Sequence, residues 1–196
     1  MHSGHPDREH GSPRTLRRLI VVVAVIVLLA AGWPLVSLAV SDDQPVAAGQ
    51  PLTIGPDSAQ SATFTPGRSW VVRSAETDSI LRWSLSDGPV DVSVIFVTLV
   101  SPSQVGRLWP GLQRILQVDD ASARLGEPAS LTSAAGRGLI GTLAANGWAG
   151  QAAVFAGPAA DFAIEIISVA PVQDRDAARA AAALVTGSLR FPAAAK

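Results

Sequence analysis

The stretch GLIGTLAANGWAGQAAVFA, residues 138–156, carries the clearest hairpin signal in the chain. Two runs of small and apolar residues are separated by Asn146-Gly147. This dipeptide favours two-residue hairpin loops, because glycine readily adopts a positive φ. The pattern therefore predicts antiparallel strands over residues 138–145 and 148–156.

Further strands are predicted on both sides of this hairpin. Residues 90–100, VDVSVIFVTLV, alternate at first and are then apolar on both faces, as expected for a central strand covered on both sides. A tight turn at Ser86-Asp87-Gly88-Pro89 precedes this segment. The other segments with strand patterning are residues 69–73, 79–85, 129–133 and 161–169.

Two of these segments have predicted inner and outer faces, since successive side chains of a strand point to opposite sides. The residues expected inside are Leu81, Trp83, Leu85, Phe162, Ile164 and Ile166. Arg82 and Ser84 are expected outside. Glu165 lies in the middle of a strand pattern, and the small Ala163 beside it predicts a row that faces solvent.

Two helices are predicted. Between Ser101 and Val118, apolar residues recur at helical spacing, and Pro110 indicates a break with a second piece starting near Trp109. Residues 174–186 form an alanine-rich segment with acidic residues at its start, where they suit the helix dipole, and Gly187 marks its end.

Strands, helix, strands and helix, joined by short hairpins, predict an α+β domain over residues 52–191. We expect an antiparallel sheet of about six to seven strands with two main helices packed on it. Residues 41–51, SDDQPVAAGQP, have the composition of a linker, and residues 192–196 form a short C-terminal tail.

The element order and the closing sequence AAALVTGSLRF, residues 181–191, resemble small actinobacterial exported or membrane-anchored proteins of the PsbP-like α/β/α sandwich type. The resemblance covers about residues 52–191. It implies a ligand-binding or accessory role and brings no catalytic motif.

A transmembrane helix is predicted over residues 19–40, LIVVVAVIVLLAAGWPLVSLAV, which contain no charge. At about 1.5 Å per residue the segment is about 33 Å long, close to the roughly 30 Å hydrocarbon core of a bilayer. Arginines precede it and Asp42 and Asp43 follow it, so residues 1–18 are expected in the cytoplasm and the rest outside the cell membrane. The alternative is a signal peptide cleaved after Ala39, which would yield a secreted domain.

Composition excludes several classes of site. The chain has no cysteine and no tyrosine, and its three histidines, His2, His5 and His10, precede the apolar segment. The exported domain therefore lacks Ser-His or Cys-His nucleophiles and ordinary zinc ligands. Its only lysine is Lys196 and the net charge is −1, so no nucleic-acid partner is expected. The histidine tail is interpreted as solvated rather than as a metal site.

Carboxylates are the remaining candidates for acid–base chemistry. They are Asp87 with Asp91, Glu76 with Asp78, Asp119 with Asp120, and Glu165. The three pairs lie in or beside predicted turns, where acidic residues commonly cap backbone groups. Calcium binding near residues 87–91 is not expected either, since no twelve-residue loop pattern is present.

Two further patterns are given structural interpretations. Residues 136–141, GRGLIG, match a dinucleotide fingerprint but do not open a helix, so a turn and strand are expected. The tryptophans are expected mainly in the core, with a groove for a ligand as the alternative; they are Trp70, Trp83, Trp109 and Trp148.

The sequence thus predicts a single-pass membrane protein whose extracytoplasmic domain is not an enzyme and carries no cofactor or metal. The expected partners are the lipid bilayer, through residues 19–40, and an envelope protein or a small apolar ligand. The alternative is a carboxylate-dependent hydrolase of cell-envelope material. No individual catalytic or ligand-binding residue is assigned.

Overall fold

A nine-stranded antiparallel sheet dominates the computed structural model, which describes residues 43–192. The predicted cytoplasmic tail, transmembrane segment and terminal residues 193–196 lie outside the described residues. Within residues 43–192, no helix is long and apolar enough to cross a membrane.

Eleven strands are present in the described part of the chain, nine in the main sheet and two in a small separate one. Their bounds are β1 Gln44–Pro45, β2 Leu52–Ile54, β3 Ala62–Phe64, β4 Val71–Val72, β5 Arg82–Asp87, β6 Val90–Thr98, β7 Arg124–Leu125, β8 Ala129–Ser133, β9 Gly136–Ala145, β10 Trp148–Ala156 and β11 Phe162–Pro171.

The main sheet has the order β1-β4-β5-β6-β11-β10-β9-β7, with β8 also paired to β9, while β2 pairs with β3. The expected α+β class is confirmed. The expected count of six to seven strands is too low, because two-residue strands such as β1 and β7 are too short to produce a period-two pattern. β1 lies within the predicted linker, residues 41–51.

The predicted hairpin at Asn146-Gly147 is confirmed. Ala145 faces Trp148 across a two-residue loop, and Gly147 has a φ of 76°, which glycine adopts without a steric cost. The turn before β6 is present but lies one residue later than predicted: Asp87 faces Val90, so Gly88 and Pro89 form the two-residue loop. Short local loops therefore determine the register of both long hairpins.

The described residues contain two α-helices, α1 (Leu108–Asp119) and α2 (Arg175–Ser188). A 3₁₀ helix, Pro102–Arg107, leads into α1, so the predicted break near Trp109 is confirmed. Pro110 lies in the first turn of α1, where its missing N–H is not needed. Shorter 3₁₀ helices occupy Ser74–Glu76 and Val172–Asp174.

The two helices cover opposite faces of the sheet. On the α2 face, Phe162 stacks on Phe96 with ring centroids 5.2 Å apart, and the Ser168 hydroxyl donates to the Ala178 carbonyl at 2.8 Å. On the α1 face, Leu112 packs in a second apolar cluster with residues of β10 and β11. The central strands are consequently buried on both sides, which agrees with the apolar second half of residues 90–100.

The predicted strand over residues 79–85 is wrong at its start. Asp78 to Leu81 form a turn, in which the Asp78 carboxylate accepts a hydrogen bond from the Ile80 N–H at 2.9 Å. Leu81, expected inside, is therefore 52% exposed. Ser84, expected outside, is buried, because its hydroxyl donates to the Glu76 carbonyl of the neighbouring 3₁₀ helix at 3.3 Å.

Candidate functional site

A cleft of about 280 Å³ opens between the segment that leads into α1 and the sheet face beneath it. Val105, Gly106 and Leu108 form the helix side of this cleft, which we call the α1 cleft. The apolar residues on its sheet side are Leu139, Val154 and Ala156. Mostly apolar walls with a few polar groups are typical of small-molecule sites.

Strand register builds the floor of the α1 cleft. Leu139 of β9 faces Val154 of β10 on one side and Ser130 of β8 on the other. Because directly paired residues of antiparallel strands lie on the same face, these three side chains form one row under the α1 segment. Val154 is 3% exposed and belongs to the apolar cluster that also contains Leu112, so this part of the floor is continuous with the core.

The helix side of the α1 cleft is open at Gly106. A Cβ atom built at this glycine would meet no heavy atom within 4 Å. Gly106 is thus a cleft-lining position at which a larger residue could be accommodated without disturbing the backbone.

The polar groups of the α1 cleft are the Ser130 hydroxyl and the Arg137 guanidinium. Arg137 is exposed at the rim. Some arginines are engaged: Arg73 binds Asp91 at 2.6 Å, and Arg124 donates to the Ala123 carbonyl at 2.7 Å. Within residues 43–192, five arginine side chains make no ion pair or hydrogen bond, and Arg137 is the one of them that lines the α1 cleft; the others are Arg68, Arg82, Arg107 and Arg114. Its charge is available to a ligand.

Glu165 lies one strand beyond the cleft floor, facing Val154 on β10 and Ile95 on β6. The expectation that it faces solvent is wrong, since it is only 3% exposed. Its neighbour Ala163 belongs to the apolar cluster beneath α1. Ala163 and Glu165 lie on the same face of β11, and α1 packs over this face. The small side chain of Ala163 therefore reflects packing against the helix, and Glu165 is buried on the same face.

Burial raises the pKa of Glu165 from its ordinary value of 4.5 to about 7. No ion pair or hydrogen bond to this carboxyl is present in the described part of the chain. The group is consequently neutral over a wider pH range than an exposed glutamate.

The carboxylates Asp87 and Asp91 do not form a pair. Asp87 faces Val90 whereas Asp91 faces Ser86, so the two side chains lie on opposite faces of the sheet. Asp91 instead binds Arg73, with 2.6 Å between its Oδ1 and the guanidinium. Partial burial raises the pKa of Asp91, and the charge of Arg73 opposes that rise. The arrangement is an ion pair on the sheet surface.

Three of the four carboxylates in the other two acidic pairs have local partners, and the fourth, Asp119, is exposed at the end of α1. Glu76 lies 3.8 Å from Arg73, while Asp78 caps the turn before β5. Asp120 follows α1, and hydrogen bonds from the Ser122 hydroxyl and N–H lower its pKa. These carboxylates stabilise turns, as their sequence context predicts.

Asp91 and Glu165 are the two carboxylates that strands carry on the α1 face. Asp91 faces Val169, four residues along β11 from Glu165. At about 3.4 Å per residue and 4.8 Å between strands, their Cα atoms are about 14 Å apart. Glycoside hydrolysis uses carboxyl groups about 5 to 9.5 Å apart. The described strands thus supply no facing catalytic pair.

The four tryptophans of the described residues do not line one groove. Trp109 is a buried residue of α1 whose indole N–H donates to the Gly126 carbonyl at 3.3 Å, and Trp83 donates to the Thr53 carbonyl at 2.8 Å on the other face. Trp148 is 41% exposed beside the hairpin loop. Trp70 is buried in the core on the α2 face.

Trp70 also lines a second concavity, a groove of about 520 Å³ between α2 and the β5–β6 turn. Arg68 and Asp87, of opposite charge, both line this groove, and its helix side is formed by alanines and Leu184. The α1 cleft is smaller but has an apolar floor and a single unpaired charge, which distinguishes it as the better candidate for a small ligand.

The GRGLIG segment has the structure expected from its context. Gly136 is the first residue of β9, directly after the two-residue turn Ala134-Ala135, and has a φ of 99°; residues 137–141 continue along the strand. Gly138 makes room for Phe155, since a Cβ there would lie 2.6 Å from its ring. This segment also contains Arg137, whose role at the cleft has no separate signal in the sequence.

Metal ligation is not supported by the described residues, which contain no group of three or more potential metal-binding side chains. His2, His5 and His10 lie outside them. Comparison of the chain with known protein families, with curated proteins and with solved structures finds no match. The geometry of the α1 cleft is therefore the basis for a functional proposal.

Proposed function

We propose that this protein is a single-pass membrane protein whose extracytoplasmic domain binds a small apolar ligand in the α1 cleft without transforming it. The observation that carries the proposal is the apolar floor of Leu139 and Val154 beside the open position at Gly106. Burial of alkyl groups on such a floor contributes about 0.8 kcal/mol per CH₂.

The anchor is proposed from sequence. Residues 19–40 have the length and hydropathy of a transmembrane helix, and Arg14, Arg17 and Arg18 before them favour a cytoplasmic N-terminus. Cleavage after Ala39 would instead release the same binding domain. The PsbP-like resemblance stays a prediction.

We propose that the domain has no catalytic activity because several catalytic residue types are missing from it and its strand carboxylates lie far apart. Histidine, cysteine and tyrosine are absent after His10. A nucleophile or acid–base group would therefore have to come from serine, threonine or carboxylates, and the strand carboxylates of the α1 face are about 14 Å apart.

The hydrolase alternative has one observation in its favour. Glu165 has a pKa raised to about 7, which suits a general acid near neutral pH. It lies beside the cleft floor rather than among the lining residues and has no second carboxylate opposite it. Incubating the full chain with short alkyl esters and glycans tests this alternative: turnover that Glu165→Gln abolishes would replace the binding proposal.

Photo-crosslinking tests the binding proposal. The full chain, in nanodiscs of zwitterionic lipid, is irradiated with a neutral alkyl alcohol that carries a diazirine, and the labelled peptides are mapped by mass spectrometry. We expect saturable labelling of residues 105–108 and 138–156. Mapping separates this labelling from any in residues 19–40.

Two glycine variants make the test specific. Gly106→Phe fills the entrance and should abolish the labelling. Gly111→Phe is the matched control, since Gly111 lies on α1 outside the cleft and a Cβ there also meets no heavy atom within 4 Å. Equal labelling of both variants would refute the proposed site.

A further inference from the structure

We infer that the ligand of the α1 cleft is an anionic amphiphile, a short alkyl chain ending in a carboxylate, whose head group binds Arg137. This inference rests on the proposed function and specifies the ligand class. It follows from the position of one unpaired cation at the rim of an apolar cavity.

The charges that line the α1 cleft indicate whether the ligand's head group is negative or positive. Arg137 is the charged residue among those that line the α1 cleft, and no acidic side chain lines it in the described part of the chain. The guanidinium offers a planar set of donors that matches a carboxylate bidentately. An anion at this position gains a partner, whereas a cationic head group would meet an uncompensated like charge.

A second donor lies within reach of the same head group. Ser130 faces Leu139 on β9, and Arg137 is two residues from Leu139 on that strand. Ser130 and Arg137 are thus diagonal neighbours on one face, about 7–8 Å apart at their backbones. A carboxylate between them would accept hydrogen bonds from the guanidinium with both of its oxygens. A remaining lone pair on one oxygen would accept a hydrogen bond from the Ser130 hydroxyl.

The volume of the α1 cleft limits the size of the ligand's alkyl chain. The volume of about 280 Å³ is slightly below the roughly 300–1,000 Å³ of typical ligand pockets. A single short chain therefore fits better than a branched or polycyclic ligand. Its methylene groups would lie on Leu139 and Val154 and extend under Leu108.

Competition against the neutral diazirine alcohol tests the inference. The full chain in zwitterionic nanodiscs is labelled in the presence of octanoate, 1-octanol or octyltrimethylammonium, and the concentration that halves the labelling of residues 105–108 is measured. Since Arg137 is exposed and ion pairs at exposed positions contribute modestly, octanoate should compete about two- to fivefold better than octanol.

Arg137→Gln should raise the half-maximal concentration of octanoate to that of octanol and leave octanol unchanged. Arg114→Gln is the control, because Arg114 is exposed on α1 away from the cleft lining and its loss removes the same charge. Equal competition by octanoate and octanol in the unmodified chain, or an Arg137→Gln variant that retains the preference, would overturn the anionic ligand and leave the cleft proposal intact. Labelling that never reaches the cleft would overturn both.

Discussion

Replacing Glu165 with glutamine should stabilise the protein at alkaline pH and have little such effect in acid. Folding raises the pKa of this carboxyl from 4.5 to about 7. Below about pH 4.5 the group is neutral in both the folded and the unfolded chain, so the raised pKa does not change the unfolding free energy. Between pH 4.5 and 7 the unfolded chain releases the proton and the folded chain keeps it, so stability falls as pH rises.

The magnitude follows from the size of the shift. One pKa unit corresponds to about 1.36 kcal/mol, so a rise from 4.5 to about 7 amounts to about 3 kcal/mol once both states are ionised above pH 7. Glutamine has nearly the same shape and does not titrate. The difference in unfolding free energy between Glu165→Gln and the unmodified protein should therefore increase by about 3 kcal/mol from pH 4.5 to pH 9.

Urea titrations of the full chain in mild detergent, followed by tryptophan emission, measure this difference at several pH values. Trp70 and Trp109 are buried and report loss of packing on both faces of the sheet. Glu127→Gln is the control for removal of one negative charge, since Glu127 is exposed. A difference between Glu165→Gln and the unmodified protein that stays constant from pH 4.5 to 9 would refute the burial of an uncompensated carboxyl.

Three other predictions concern the anchor, the β9–β10 turn and the packing of Gly138 in β9. Intact-mass measurement of the native protein from the membrane fraction should show an uncleaved chain, and a mature N-terminus at Val40 would contradict the anchor. Gly147→Val should lower the unfolding free energy by more than about 1 kcal/mol in urea titration, because a β-branched residue resists the φ of 76°. Gly138→Val should lower the thermal midpoint through overpacking of about 1–3 kcal/mol, because the new Cβ would lie 2.6 Å from both the Phe155 ring and the Val154 carbonyl oxygen; an unchanged midpoint would contradict this close packing.

Local signals predicted the elements that depend on local interactions. The Asn146-Gly147 loop, the turn at Gly88, the strand Trp148–Ala156 and the start of α1 near Trp109 follow from glycine at positive φ, apolar runs and the position of Pro110. Errors arose where a turn replaces the start of a strand or where a neighbouring element supplies a hydrogen-bond partner. Ser84 is buried because the 3₁₀ helix before β5 accepts its hydrogen bond, and Leu81 is exposed because Asp78 closes a turn.

The sequence by itself determined the α+β class, the main hairpins and the absence of histidine and cysteine from the domain, because these depend on periodicity, turn chemistry and composition. Only the tertiary structure decided which face of β11 is covered. With α1 on one side of the sheet and α2 on the other, Glu165 is buried, Ala163 becomes a packing position, and Arg137 lies at the rim of a cleft formed with Gly106. Such placements depend on contacts between residues far apart in the chain, and a strand's own alternation distinguishes its two faces without showing what covers each of them.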